Sequence, residues 1–279
     1  MVTRISANGQ RLRLPPAKFA SIAAAHNFNL NGPWRSTFEH EFDLADNSVS
    51  EVIHGVLNLE TSTASSSSQV ERLHNIGVDE GFCAKVRELV ASLLARCPRT
   101  RNIAKLAVER GAFPVPGGVP ARDPVIAGNV RIAFSETKRL MAGGVWVFLY
   151  SDHEEFVYGD GHFSSFGIGG GAAGSCIVPL LPTVAAAYVK LIGPYRPGVR
   201  TIRLHPREVR AINELTQIYS RDYLFVRSQS PQLIRDFTVG EHRMVEFHRF
   251  EWLESIKRTI EVPDPLRGRC LSSSTLDLH

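Results

Sequence analysis

The sequence has few cysteines, few lysines and no long uninterrupted apolar run. It contains only four cysteines in 279 residues, which excludes the disulfide scaffold of a small secreted protein. Residues 1–16 are polar and basic and lack the apolar core of a signal peptide. The longest charge-free stretch, residues 161–189, is broken by glycines and prolines, whereas a membrane helix needs about 20 apolar residues. We therefore expect a cytoplasmic protein that does not cross a membrane.

The composition is that of an ordinary globular protein, with 43% hydrophobic and 22% charged residues. The formal net charge is +4, and lysine contributes only six of the 32 basic residues, so arginine dominates. The charges occur in blocks, because the segment between Glu39 and Glu60 is acidic and residues 190–210 are basic. Arginine forks bind carboxylates or phosphates. The basic blocks therefore either neutralise the acidic ones within the fold or bind a phosphate-bearing partner.

Apolar residues recur with helical spacing in the first half of the chain. Ser48 and Glu51 form a capping-box pattern that predicts a helix start. A second helix is predicted from about Asp79 to Arg96, and two more are predicted to begin at Thr100 and Ser135. The proline-rich residues 113–124 and the Ser-rich residues 61–68 are predicted to be loops, the latter mobile.

The second half of the chain is rich in residues that favour strands. Strands are predicted at residues 145–150, 177–181, 184–191, 200–204 and 223–226. One helix is predicted to begin at Pro206, a residue suited to the first helical position, and to end near Tyr219. Segregated helices and strands of this kind predict an α+β fold. We expect one domain over residues 1–279, with a helical subdomain (36–142), a sheet subdomain (143–262) and a disordered tail (263–279).

Three short motifs resemble those of a known bacterial family. They are Arg96-Cys97-Pro98-Arg99-Thr100-Arg101, the strand Trp146-Val147-Phe148-Leu149-Tyr150-Ser151-Asp152, and the turn Val178-Pro179-Leu180-Leu181-Pro182. Over about residues 85–228 the chain resembles the uncharacterised domain-of-unknown-function family 4238. The resemblance implies a bacterial protein of the toxin or defence type.

Carboxylates and imidazoles follow the first predicted strand of the second half. Asp152, His153, Asp160 and His162 lie within about ten residues of one another, and side chains after a buried strand are a common position for sites in α/β proteins. They are candidate catalytic acids and bases. Asp152 and Asp160, together with Glu41 from the acidic segment 38–43, are candidate ligands of a divalent metal. The alternatives are a solvated hairpin that turns at residues 159–161 and, for residues 38–43, an edge strand with one wet face.

Arginines around the predicted helix at Pro206 are candidate phosphate ligands. Arg203 and Arg207 flank the start of that helix, where a helix N-terminus also favours an anion. Arg99 and Arg101 are the further candidate substrate-binding residues. The alternative is a solvated basic face without a ligand.

The Gly-rich residues 169–174 fit the pattern G-x-G-x-x-G. A dinucleotide-binding fingerprint requires a helix after the glycines, and here a strand is predicted, so we reject that interpretation. A plain loop or a flap over a pocket is expected instead.

These residues lead to three hypotheses on function. The first is a hydrolase acting on a phosphate-bearing substrate, in particular nucleic acid, with Asp152 and Asp160 as acid, base or metal ligands. The second is a non-catalytic module that binds RNA or protein through arginine surfaces. The third is a small-molecule enzyme with the Gly-rich segment as a lid.

Overall fold

The computed structural model describes residues 1–15, 27–29, 35–37, 39–63, 66–98, 100–101, 122–166, 174–190, 198–227 and 233. Its α-helices are α1 (Asp43–Leu57), α2 (Gln69–Arg72), α3 (Glu80–Arg96), α4 (Arg122–Leu140) and α5 (Pro206–Tyr219), and a 3-10 turn, Glu39–Phe42, precedes α1. The strands of the first half are β1 (Val2–Ser6), β2 (Arg11–Leu14), β3 (Asn27–Asn29), β4 (Arg35–Thr37) and β5 (His74–Ile76). Those of the second half are β6 (Val145–Tyr150), β7 (Tyr158–Gly159), β8 (Phe163–Ser164), β9 (Gly174–Leu181), β10 (Val184–Lys190), β11 (Gly198–Arg203) and β12 (Tyr223–Val226).

A six-stranded sheet in the order β5-β11-β6-β10-β9-β8 forms the centre of the fold. Strands β6 and β11 are parallel, and the other neighbouring pairs are antiparallel. Strand β6 is buried along almost its whole length, as the continuous apolar run predicts for a strand covered on both faces. The parallel pair places the carboxyl ends of β6 and β11 at the same edge of the sheet.

Helices cover both faces of this sheet. Trp146 and Phe148 of β6 belong to a core shared with α1, α3 and α4. Val147 and Leu149 point to the opposite face and pack with residues of α5, including Ile212. Successive side chains of a strand point to opposite faces of the sheet. The sheet is therefore the middle of three layers, with helices on either side.

A smaller sheet in the order β2-β1-β12-β7 connects the two ends of the described chain. In it, Thr3 to Ser6 pair antiparallel with residues 223–226, and β5 of the first half pairs with β11 of the second. The α+β class is therefore confirmed, but the first half contributes strands as well as helices. These pairings join residues far apart in sequence, which local patterns do not specify.

Among the described helices, none has the length and hydropathy needed to span a lipid bilayer.

Two predicted helix starts are wrong. Helix α1 begins at Asp43, and Ser48 lies inside it, where its hydroxyl donates to the Ala45 carbonyl at 2.9 Å. Helix α4 begins at Arg122 and includes Ser135 in its interior. Buried residues such as Ala45 and Ile126 extend the apolar faces of both helices upstream of the predicted caps, so tertiary packing outweighs the local signals.

Other predicted boundaries are confirmed. The carboxylate of Asp79 caps α3 by accepting from the Phe82 N–H at 2.8 Å, and α5 begins at Pro206. Strands β6, β9, β10, β11 and β12 correspond to the five predicted strands, with β10 and β11 ending one residue earlier than predicted. Most of the helix predicted from Thr100 and the predicted tail (263–279) lie outside the described residues.

Candidate functional site

Asp152 and Arg203 meet because β6 and β11 are parallel neighbours. Tyr150 is aligned with Arg203 in the sheet, so the residues that follow β6 leave the sheet beside the end of β11. Nη1 of Arg203 donates to both carboxylate oxygens of Asp152, at 2.7 and 2.6 Å. Nε of Arg203 donates to the Thr61 hydroxyl at 3.0 Å. The two charged side chains are 54% and 45% exposed, so this is a surface ion pair at a strand edge.

Arginines also neutralise the other carboxylates of the turn after β6. Nε of Arg210 donates to Glu154 at 2.7 Å, and Nε of Arg227 lies 3.6 Å from Glu155. His153 of the same turn is exposed. In this turn, carboxylates and arginines pair within the fold. This agrees with the interpretation that the basic blocks neutralise the acidic ones.

Three carboxylates of the acidic segment between Glu39 and Glu60 are paired in the same way. Glu41 lies 2.8 Å from Arg131 of α4, and Nη1 of Arg96 donates to Asp46 at 2.9 Å. Glu51 forms an ion pair with Lys85 of α3. These contacts connect α1 with α3 and the 3-10 turn with α4. Residues 39–42 form that turn rather than the edge strand of the alternative interpretation.

Asp160 is a buried structural carboxylate. It accepts hydrogen bonds from the backbone N–H groups of Arg221, Asp222 and Tyr223, at 2.7, 2.8 and 3.2 Å. Burial raises the pKa of Asp160, and the three hydrogen bonds oppose that shift. The alternative interpretation, a hairpin that turns at residues 159–161, is wrong, because β7 pairs with β12 and β8 pairs with β9. Asp160 instead joins this segment to the turn between α5 and β12.

The candidate metal ligands are therefore not brought together. Asp152 binds Arg203, Asp160 binds backbone N–H groups, and Glu41 pairs with Arg131. In the part of the chain that the structure describes, no group of three or more His, Cys, Asp or Glu side chains is placed to hold a metal ion. The proposed metal assignment gains no support from this geometry.

His162 lies in a different environment from the exposed Asp152. It is buried, and burial lowers the pKa of its imidazole to about 4. Among the described residues, its Nδ1 has no hydrogen-bond partner. The four candidate catalytic residues therefore divide into an exposed pair, Asp152 and His153, and a buried pair, Asp160 and His162.

The start of α5 carries a group of arginines, which we name the arginine corner: Arg203, Arg207 and Arg210. Arg207 lies in the first turn of α5, is exposed, and has no hydrogen bond or ion pair within the described ranges. Arg200 is half-buried inside β11, with its Nη1 near Gly198 at the other end of the strand, and burial lowers its pKa. The corner therefore holds three arginines and the two carboxylates that bind Arg203 and Arg210, namely Asp152 and Glu154, so it keeps an excess of positive charge.

A buried ion pair lies beneath the arginine corner. Nη1 and Nη2 of Arg72 donate to the carboxylate of Glu208 at 3.0 and 2.9 Å, and Arg72 also binds the backbone carbonyl of Arg203. Glu208 accepts from Nε2 of Gln69 at 2.9 Å and from the His205 N–H at 2.7 Å. Our sequence reasoning missed both charged residues. The position of Glu208, three residues after the helix cap, is the capping-box signal that could have indicated its role.

The Ser-rich segment contacts the arginine corner. Nε2 of His205 lies 3.2 Å from the Ser66 carbonyl oxygen, and the Thr201 hydroxyl donates to the Glu60 carbonyl at 2.6 Å. Together with the bond from Arg203 to Thr61, these contacts fix the ends of the segment against β11.

The remaining candidate arginines lie elsewhere. Arg99 is outside the described residues. Arg101 follows α3, which packs on one face of the central sheet, whereas Arg207 belongs to α5 on the other face. Arg101 and Arg207 are therefore in different layers.

Most of the Gly-rich segment is also outside the described residues, and the strand that we predict after it is β9.

Comparisons with known proteins return no family model, no curated protein and no solved structure that matches this chain. The resemblance to family 4238 therefore stays a prediction, and function has to be inferred from the geometry of the residues themselves.

Proposed function

We propose that the protein is a non-catalytic RNA-binding module and that the arginine corner binds the RNA backbone. One observation carries the proposal: Arg207 is exposed and unpaired within the described ranges, beside the exposed guanidinium of Arg203. An uncompensated arginine in the first turn of a helix adds its charge to the positive end of the helix dipole. Such a surface favours phosphate oxygens, which arginine can bind with two parallel hydrogen bonds.

The anchoring of the corner supports the same function. Arg203 is positioned by Asp152 and Thr61, and Arg210 by Glu154. Arginines that are already oriented lose less conformational entropy when a ligand binds. Each phosphate that these arginines neutralise releases counterions from the RNA, so the affinity is expected to fall as the salt concentration rises.

A second candidate function is hydrolysis of the bound nucleic acid. The position of Asp152 favours hydrolysis, because this residue follows the carboxyl end of β6 and binds Arg203. A substrate phosphate that took the place of Asp152 on Arg203 would free the carboxylate to act as a base or as a metal ligand. In that case the resting ion pair would be an inactive arrangement that the substrate opens.

Fluorescence anisotropy with a labelled single-stranded RNA of about 20 nucleotides tests the binding function. We expect Arg207→Ala to weaken binding about three- to tenfold and to reduce the salt slope by about one. Arg13→Ala is the matched control, because Arg13 is exposed on β2, away from the corner. Unchanged affinity of Arg207→Ala, or binding that does not respond to salt, would overturn the proposal.

Asp152→Asn separates the two candidates. A binding module should bind RNA about two- to fivefold more tightly, because the change removes a carboxylate that competes for Arg203. A hydrolase should lose cleavage of the same RNA in the presence of Mg²⁺ or Mn²⁺ and keep binding. If the unmodified protein does not cleave the RNA under these conditions, the hydrolase function is rejected.

A further inference from the structure

A groove of about 590 Å³ lies on the small sheet, between the β1–β2 hairpin and the start of β12. One face of this sheet is packed, because Ile5 and Leu224 are aligned neighbours and both are buried. Arg4 and Tyr223 belong to the opposite face, since successive residues of a strand alternate between the two faces. The wall of the groove includes Arg4, Asn8, Gln10, Leu12, Asp222 and Tyr223.

An aromatic ring and a cation are stacked in this groove. The guanidinium carbon of Arg4 lies over the ring of Tyr223, 4.7 Å from the ring centre. Tyr223 is 36% exposed and Leu12 is 43% exposed, so both side chains are open to a ligand from the solvent. The solvated face of an antiparallel sheet normally carries polar residues. Exposed apolar side chains that are surrounded by polar ones in a single groove indicate a binding surface.

The groups in the groove match the chemistry of a nucleobase. A base is a flat ring that stacks on aromatic rings and on guanidinium planes, and its edge carries hydrogen-bond donors and acceptors. Asn8 and Gln10 are exposed amides of the wall, and Oδ1 of Asn8 accepts from the Gln10 N–H at 3.2 Å, which holds the Asn8 amide in place. Asp222, whose side chain is 40% exposed, adds a carboxylate acceptor. Amides and carboxylates of this kind pair with base edges.

We propose that this groove binds a base of single-stranded RNA, which stacks against Arg4 and Tyr223 while the arginine corner holds the backbone. The inference rests on the RNA binding proposed above and makes its substrate single-stranded, because stacking within a duplex covers the faces of the bases.

The groove and the arginine corner are within reach of one strand. The groove lies near the carboxyl end of α5 and the corner lies at its start, so roughly the length of this helix, about 20 Å, separates them. A single strand of about 20 nucleotides, at about 3.4 Å per nucleotide, is roughly 65 Å long. One RNA molecule can therefore contact both.

Two labelled strands of equal length test the groove on the unmodified protein by fluorescence anisotropy. One is the single-stranded RNA of about 20 nucleotides, and the other is an abasic strand with the same sugar–phosphate backbone and no bases. The arginine corner can bind both strands, whereas the groove can bind only the strand that carries bases. We expect the abasic strand to bind at least about fivefold more weakly, which is the lower end of what stacking of one base contributes.

Variants assign the difference between the strands to the groove. Tyr223→Ala should weaken binding of the base-containing RNA about fivefold and leave the abasic strand unchanged, whereas Tyr223→Phe keeps the ring and should bind like the unmodified protein. Arg207→Ala should weaken both strands by the same factor, because it acts on the backbone. Arg13→Ala is the control, since Arg13 is aligned with the buried Thr3 on the other face of the sheet, and it should change neither affinity.

The results distinguish a failure of the groove from a failure of the arginine corner. Equal affinities for the two strands would overturn the groove as a base site and leave the corner as a backbone site. Binding of the base-containing strand alone, unaffected by Arg207→Ala, would support the groove and reject the corner. If neither strand binds, both proposals are rejected.

A second copy of the chain is the other occupant that the experiment can reveal. Self-association that Tyr223→Ala abolishes, measured by analytical ultracentrifugation, would assign the groove to a protein contact and overturn the proposal. The comparison of the two strands needs no variant, so it remains decisive if a substituted protein fails to fold.

Discussion

Glu208→Gln is expected to destabilise the protein far more than the loss of an ordinary surface charge. The side chain of Arg72 is only 2% exposed and that of Glu208 only 7%, and two hydrogen bonds join them at 3.0 and 2.9 Å. Glutamine keeps the shape of the side chain but leaves the guanidinium of Arg72 buried without a counter-charge. Breaking a buried pair in this way costs about 3–5 kcal/mol, which corresponds to a drop in Tm of about 6–20 °C for a protein of this size.

The pH dependence of stability provides a second measurement on the same pair. Burial raises the pKa of Glu208, but hydrogen bonds from Arg72, Gln69 and the His205 N–H outweigh burial and leave the pKa below its ordinary value of 4.5. The unfolded chain therefore binds this proton more readily than the folded one. Glu208 contributes its stability above pH 4.5, and that contribution is lost as the pH falls through the lower pKa of the folded state.

Urea unfolding followed by circular dichroism gives the free energies. The matched control is Asp152→Asn, which breaks an exposed Arg–carboxylate ion pair at the edge of the central sheet and should cost about 0–1 kcal/mol. The double variant Arg72→Met/Glu208→Leu should lose less than the sum of the two single changes, because no buried charge remains unpaired. If Glu208→Gln costs no more than Asp152→Asn, the reasoning from burial is refuted.

Three further comparisons test other parts of the fold by the same unfolding measurement. Asp160→Ala leaves three backbone N–H groups without their acceptor and should cost about 2–4 kcal/mol; a loss below about 1 kcal/mol would show that water replaces the carboxylate. Gly161→Ala should cost about 1–3 kcal/mol, because a Cβ there would lie 2.1 Å from the Tyr219 carbonyl oxygen. Gly128→Ala, in α4 with open space around it, should instead stabilise the protein by about 1 kcal/mol, and equal effects of the two glycine changes would contradict the geometry. Burial lowers the pKa of His162 to about 4, so stability should fall by on the order of 3 kcal/mol as the pH drops from 6.5 to 4. His162→Phe should remove this dependence and His153→Gln, an exposed control, should not; an unchanged slope in His162→Phe would refute the assignment.

Much of the secondary structure could be predicted from the sequence because its signals are local. The apolar run of residues 145–150 predicts strand β6, and Pro206 marks the start of α5. Both boundaries are observed within one residue. Helices α1 and α4 extend upstream of the predicted starts, and Ala45 of α1 and Ile126 of α4 are buried there, so packing against distant residues outweighs the local cap signals.

The candidate site could be predicted only in part. Asp152 and Arg203 are identified from strand ends and charge blocks, and the structure brings these two residues together. Asp160 and His162 are predicted beside Asp152 because they are close in sequence, yet both are buried in other surroundings. Proximity along the chain fails here because β7 and β8 join different sheets.

The sequence by itself determined the α+β class, the excess of arginine and the order of most elements, since composition and periodicity are properties of short segments. Only the tertiary structure decided which charges meet. Asp152 and Arg203 are 51 residues apart and Arg72 and Glu208 are 136 residues apart, so their pairing depends on strand order and on the parallel alignment of β6 and β11. The same long-range packing decided that Arg207 stays exposed and that His162 is buried.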